Sequence, residues 1–171
     1  MLRSSFILFI YLIGTCTTSI AQSGKMWTKY ESSLNKLIVH YHDTVVETHY
    51  FKGDKKIKTK LNKFYYWYAA KEIKRTQGSF DGLLLHGTYK KFTHDKDLIQ
   101  SGNFYFGLKN GEWISWNQDG IIISKEHWKK GILNGKVHEY YNNGQLKSVI
   151  YYYKNSIKKT KSFDESGKKI K

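Results

Sequence analysis

Two histidines in the first third of the chain are spaced for metal chemistry. His40 and His42 stand two residues apart, which on a β-strand would place both imidazoles on one face. Asp43, Glu47 and His49 follow closely, and a hairpin would bring such groups together, as a zinc site with three or four ligands requires. The alternative is a solvated strand face, which we favour. No metal site and no cofactor is therefore predicted.

Other polar pairs are poorly spaced for catalysis. Glu126-His127 and His138-Glu139 are adjacent in sequence, so on a strand each pair would point to opposite faces. That arrangement does not suit a general base and the acid that orients it. The chain also has no Gly-x-Ser-x-Gly elbow, no glycine-rich phosphate loop and no His-Glu-x-x-His helix motif. We expect no catalytic residue and no enzyme.

Basic side chains are in large excess and unevenly distributed. The net charge is +15, and residues 22–75, 76–150 and 151–171 carry +7, +2 and +5. Such clusters bind anionic lipid, polysaccharide or nucleic acid, but lysines also protect sheet edges against strand addition. Both interpretations remain open. The possible anion-binding residues are those of the densest cluster: Lys52, Lys55, Lys56, Lys58, Lys60 and Lys63.

Aromatic residues lie beside these lysines, as in residues 63–68 and 151–154. Rings next to cations can stack on sugar rings or on the bases of single-stranded nucleic acid. A single-layer sheet must also fill its buried face with large side chains, and Trp113, Trp116, Trp128 and Tyr140 suit that need. Outside the cytoplasm, a sugar ligand is more plausible than a nucleic acid.

The first residues resemble an export signal. Arg3 precedes an apolar run over residues 6–13, and the small residues Ser19 and Ala21 predict cleavage before Gln22. The apolar run is shorter than the roughly 20 residues needed to span a bilayer. A lipoprotein modified at Cys16 is the alternative. We expect an exported protein, located in the periplasm, at the cell envelope or outside the cell.

The rest of the chain repeats with a period of 24 residues. Three glycines and one aromatic residue of one central copy recur 24 positions later in the next copy. An earlier copy contains Gly82, Gly87 and Phe92. The repeated positions are Gly107, Gly111, Trp116 and Gly120, followed by Gly131, Gly135, Tyr140 and Gly144.

The local sequence of each copy is typical of β-hairpins. Asn110-Gly111, Asn134-Gly135, Asn143-Gly144, Asp81-Gly82 and Asp119-Gly120 accept positive φ and therefore predict turns. Short runs rich in strand-forming residues separate them, and the absence of proline fits strands that donate every ladder hydrogen bond. The fold class predicted is all-β, a meandering antiparallel sheet of hairpin repeats.

The motif Gly-x-x-x-Gly-x-Trp-x-x-Trp/Tyr-x-x-x-Gly resembles the variant MORN repeat (membrane occupation and recognition nexus). This variant occurs in bacterial proteins labelled as an antitoxin component of toxin–antitoxin systems. The resemblance covers about residues 67–167. Within it, Val137 replaces the aromatic found at Trp113, and lysines replace motif glycines at Lys71, Lys96 and Lys159. The resemblance implies a hairpin-repeat fold and a toxin-neutralising role.

Together these features predict three segments: a signal peptide (1–21), a divergent β cap (22–63) and a MORN-like repeat domain (64–171). The function expected is an exported, non-catalytic binding or scaffolding module whose most plausible partner is a protein. An antitoxin-like or immunity protein is the alternative, although its basic charge disfavours a cationic nuclease as the toxin. Peripheral binding to anionic lipid, or to polysaccharide, is the third possibility, and nucleic acid is the least expected ligand.

Overall fold

The structure is a computed structural model that describes residues 34–170. The predicted signal peptide, residues 22–33 of the predicted cap and residue 171 lie outside the described part of the chain.

Residues 34–170 form thirteen strands and no helix, so no helix in this range is long and apolar enough to cross a membrane. The all-β prediction is confirmed. The strands are β1 (Leu34–His40), β2 (Thr44–Phe51), β3 (Phe64–Ala69), β4 (Glu72–Gln77), β5 (Leu83–Thr93), β6 (Leu98–Tyr105), β7 (Leu108–Trp116), β8 (Ile122–Lys129), β9 (Ile132–Leu133), β10 (Gly135–Tyr140), β11 (Leu146–Tyr153), β12 (Ser156–Phe163) and β13 (Lys169–Ile170).

The strands form one antiparallel sheet in the order β1-β2-β5-β6-β7-β8-β10-β11-β12-β13. From β5 onward this is the predicted meander, except that the two-residue β9 pairs only with β8 and β10 also pairs with β8. The β3–β4 hairpin interrupts it, because β2 pairs with β5 and β3 joins β5 only through Trp67–Leu84 and Tyr68–Leu83. The hairpin therefore branches from the sheet, a feature that the repeat pattern does not indicate.

Four hairpins reverse through two-residue turns in which both central residues have positive φ, as type I′ turns require. The turns are Ala70-Lys71, Phe106-Gly107, Lys130-Gly131 and Lys154-Asn155. None of them was predicted, because only Asn-Gly and Asp-Gly were taken as turn signals. Two other predicted dipeptides, Asp119-Gly120 and Asn143-Gly144, do lie in turns between strands.

The predictions of turns at Asn110-Gly111 and Asn134-Gly135 are wrong. Gly111 lies within β7, and Asn134 alone separates β9 from β10, which begins at Gly135; both strands follow the Lys130-Gly131 turn. Each asparagine instead stabilises the turn of the following hairpin: the Lys130 N–H donates to Asn110 Oδ1 at 3.1 Å, and the Lys154 N–H to Asn134 Oδ1 at 3.3 Å. The pattern therefore predicted hairpins correctly but placed each of these two turns four residues too late.

One buried cluster of the core lies on the sheet face beneath the β3–β4 hairpin. It draws on four strands and contains Leu37, Val39, Leu85, Phe104 and Trp113. Half-buried side chains of the hairpin, including Tyr66, Tyr68 and Ile73, pack against this cluster. The hairpin thus covers part of a face that a single-layer sheet would otherwise expose to water.

Trp113 occupies the centre of this packing and is 2% exposed. Its ring lies directly over Gly102 on the neighbouring strand, where a Cβ atom would overlap it. The indole N–H donates to the carbonyl oxygen of Asn103 at 3.2 Å, and the ring centroid lies 4.9 Å from that of Phe104. Glycine at position 102 is therefore required for space and not for backbone conformation.

We expect Gly102→Ala to destabilise the protein by about 1–3 kcal/mol, because the added methyl overpacks the core against Trp113. The matched control is Gly111→Asn, since Gly111 has a φ of 76° and open space around its Cβ position. Asparagine tolerates that φ, so the control should change stability by less than about 1 kcal/mol. Urea unfolding followed by tryptophan fluorescence measures both, and equal losses would contradict the packing argument.

Candidate functional site

A groove of about 730 Å³ lies between the β3–β4 hairpin and the sheet. Tyr66, Ile73 and Arg75 line its hairpin wall, and Tyr89 and Trp113 lie on its floor.

The opposite end of the groove is formed by the β1–β2 loop and the adjoining strands. Tyr41, Asp43 and Thr44 come from the loop region, and Lys91 and Gln100 from the sheet. The Tyr41 hydroxyl accepts a hydrogen bond from the Ile73 N–H at 3.0 Å, which ties the loop to the hairpin. Six strands and one loop therefore contribute to the site.

Strand alternation decides which side chains face the groove. Tyr66 is directly opposite Arg75 in the β3–β4 register, so both project from the same side of the hairpin. On β5, Tyr89 and Lys91 point to the groove face, and Lys90 between them points to the other.

Lys109 is the most enclosed cation of the groove. Its Nζ lies 4.2 Å from the Trp113 ring centroid, 4.9 Å from that of Trp128 and 3.5 Å from Glu126 Oε2. The Trp128 indole N–H donates to the same carboxylate oxygen at 2.6 Å. Burial lowers the pKa of Lys109, and the Glu126 carboxylate partly offsets that effect. The result is a fixed ion pair between two indole rings.

Arg75 has a different environment. Its guanidinium carbon lies 3.9 Å from the Phe64 ring centroid and 5.9 Å from that of Tyr66, and its side chain is exposed. These cation–π contacts place the guanidinium at the groove wall, and the exposed side chain remains accessible.

The groove tyrosines stay protonated over a wide pH range. Burial raises the pKa of Tyr66, against the opposing effect of nearby Arg75. Burial also raises the pKa of Tyr89, with Tyr41 and Tyr66 adding to the shift. Both hydroxyls can therefore donate a hydrogen bond to a ligand at neutral pH.

The structure does not bring the candidate metal ligands together. His40 ends β1 and His42 lies in the following loop, so strand alternation does not place them on one face. Both residues are exposed, and His42 Nε2 lies 3.5 Å from Asp43 Oδ1. Residues 34–170 contain no group of three or more His, Cys, Asp and Glu side chains placed to hold a metal ion.

The adjacent His and Glu pairs are separated as strand alternation predicts. Glu126 contacts Lys109 and Trp128, while the exposed His127 lies across from Glu112 on the other face. Glu139 accepts a hydrogen bond from the Ser148 hydroxyl at 2.8 Å.

His86, by contrast, belongs to the core. The Phe106 N–H donates to its Nδ1 at 3.3 Å, and burial together with the Lys55 charge lowers its pKa to about 4. The imidazole is therefore neutral at physiological pH.

The predicted lysine cluster lies in the segment of residues 52–63 that joins β2 to β3, here called the lysine segment. Lys63 Nζ donates a hydrogen bond to the backbone oxygen of Lys130 at 2.6 Å, although the two residues are 67 positions apart in the sequence. Burial and the charges of Lys60 and Lys130 lower the pKa of Lys63. The fold thus adds Lys130 to a cluster that sequence alone confined to residues 52–63.

Sequence reasoning did not identify the groove cations. Arg75, Lys91 and Lys109 come from three separate strands, and no local motif links them. The only available signal was the alternation of charged and aromatic residues, which many exposed strands share.

No protein-family model matches this sequence, and no curated protein and no solved structure matches the chain.

We expect Glu126→Gln to cost about 1–2 kcal/mol of stability, because it leaves the Lys109 charge half-buried without its carboxylate. The double variant Lys109→Met/Glu126→Gln should recover most of that loss, since it removes the charge and keeps an apolar stem between the indoles. Urea unfolding of both variants and of Lys109→Met completes the cycle. Equal losses in Glu126→Gln and the double variant would show that the charge is not the cause.

Proposed function

We propose that this protein is an exported, non-catalytic binding or scaffolding module that acts at the cell envelope or outside the cell. The observation that carries this proposal is the groove, which combines aromatic rings and cations from five strands and one loop. Ligand sites in proteins are concave and place a few polar groups among apolar ones, as this groove does. The export signal expected from residues 1–21 supplies the location.

We further propose that the sheet is built from MORN-like hairpin repeats of 24 residues. Equivalent hydrogen bonds support this view. The N–H groups of Gly107, Gly131 and Asn155 donate to the carbonyl oxygens of Leu85, Lys109 and Leu133. Both the donors and the acceptors advance by 24 residues at each step. Each hairpin turn therefore docks on a strand of the preceding hairpin, which is how a solenoid gains stability from its neighbours.

The binding proposal can be tested by blocking the groove. We expect Gln100→Trp to fill the groove floor and abolish capture of envelope components by immobilised residues 22–171. Ser101→Trp is the matched control, because it adds the same side chain to the same strand on the opposite face. Circular dichroism and thermal unfolding check that both variants fold.

Capture by wild type and Ser101→Trp, with none by Gln100→Trp, would support the groove as the binding surface. Equal capture by all three proteins, or capture by none, would contradict it. A single protein retained at high salt would favour the antitoxin-like alternative among binding functions.

A second candidate function, peripheral binding to anionic lipid, has its own supporting observation. Lys130 joins the lysine segment in space, and the Leu61 side chain, 86% exposed, projects among these cations. A cationic surface with one exposed apolar side chain suits a membrane interface, where each lysine contributes about 1 kcal/mol.

We expect the triple variant Lys58→Gln/Lys60→Gln/Lys63→Gln to weaken binding to phosphatidylserine vesicles by about 100-fold at low salt, from that contribution per lysine. The matched control, Lys158→Gln/Lys159→Gln/Lys161→Gln, removes the same charge from β12. Vesicle co-sedimentation measures both. Equal weakening would mean that net charge alone drives binding, and no binding by wild type would exclude the function.

A further inference from the structure

The charges that line the groove are unbalanced. Residues 34–170 contain the ion pairs Lys36–Glu47 and Lys109–Glu126, and a 3.5 Å contact between His42 and Asp43 that is ionic only when the imidazole is protonated. Neither Arg75 nor Lys91 has a carboxylate of the described chain within ion-pair distance. Asp43 is the one acidic side chain among those that line the groove, and it is largely exposed beside His42. The groove therefore presents two cations that an acidic ligand would neutralise.

Aromatic rings line the groove together with these two cations. Tyr66 and Tyr89 are half-buried, so each retains an accessible part, and the Tyr66 ring lies next to the Arg75 guanidinium. The C–H bonds on one face of a pyranose ring are apolar and pack against such rings. The sugar hydroxyls meanwhile need polar partners, which the tyrosine hydroxyls and Gln100 supply.

We propose that the groove binds an acidic oligosaccharide, a chain of sugar rings that carry carboxylates; this inference rests on the binding function proposed above. Arg75 and Lys91 contact the carboxylates, and Tyr66 and Tyr89 stack on the rings. A guanidinium already in contact with the Phe64 ring, 3.9 Å from its centroid, has less freedom to lose when it forms a bidentate carboxylate contact.

Two features favour this ligand over the alternatives. A neutral oligosaccharide would offer Arg75 and Lys91 no counter-charge, so neither cation would gain a charge-assisted contact from it. An acidic peptide would satisfy the cations but has no flat apolar ring face to match the tyrosines. The groove volume of about 730 Å³ also lies within the range of sites that enclose a ligand of several rings.

The experiment measures binding of tetragalacturonate to residues 22–171 by calorimetry, beside uncharged cellotetraose and a short polyglutamate peptide. We expect tetragalacturonate to bind at least about tenfold tighter than either, as one charge-assisted contact of about 1.5 kcal/mol implies. The double variant Arg75→Gln/Lys91→Gln should lose at least that factor.

The matched control is Lys74→Gln/Lys90→Gln, because each residue adjoins a groove cation in sequence but points to the opposite face of its strand. It changes the net charge equally and should bind as wild type does. Thermal unfolding of both double variants checks their fold, and the comparison of the three probes on wild type does not depend on any variant.

Three results would overturn the inference: equal binding of charged and neutral sugars, tighter binding of polyglutamate, or equal losses in the two double variants. If Gln100→Trp still blocks envelope capture in those cases, only the ligand class is wrong and the groove keeps its binding role. If envelope capture does not depend on the groove while tetragalacturonate binds as expected, the groove is a sugar site and the proposed role in envelope binding fails.

Discussion

The packing of Trp113 on Gly102 is the contact on which the described sheet most depends. A single-layer sheet has no second layer to cover its apolar face, so large side chains on one strand must fill the space above its neighbours. The missing side chain at Gly102 lets the indole lie flat on β6, beside Phe104 and Tyr89. Replacing that arrangement would separate the strands that form both the core and the groove floor.

The same constraint explains the groove. The β3–β4 hairpin folds back over the centre of the face, where it buries Tyr66 and Tyr68 against the core. It does not cover the whole face, and the space between its edge and the β1–β2 loop remains as the groove. Aromatic residues needed for the core therefore continue directly into the proposed binding surface. The strands that stabilise the core therefore also form the proposed binding surface. Lys109 contacts the core residue Trp113 and also lines the groove.

Local sequence patterns predicted the strands better than the turns. Runs rich in strand-forming residues, such as Leu146–Tyr153, form strands, because strand propensity and alternation act over a few residues. The Asn110-Gly111 dipeptide was misassigned because positive φ also occurs at an irregularity within a strand. The actual turn, Phe106-Gly107, carries a weaker signal, and its position depends on how the hairpin docks on its neighbour.

The sequence by itself determined an all-β meander, since closely spaced turn residues and short strand-forming runs leave no length for a helix. It also determined an excess of lysine, which composition alone establishes. Only the tertiary structure decided that β2 pairs with β5, and that the intervening hairpin lies on the sheet. Both features are long-range contacts, and the local sequence does not distinguish them from alternative contacts because the strand surfaces are similar. The burial of aromatic side chains selects between them. The meeting of Arg75, Lys91 and Lys109 in one groove follows from them.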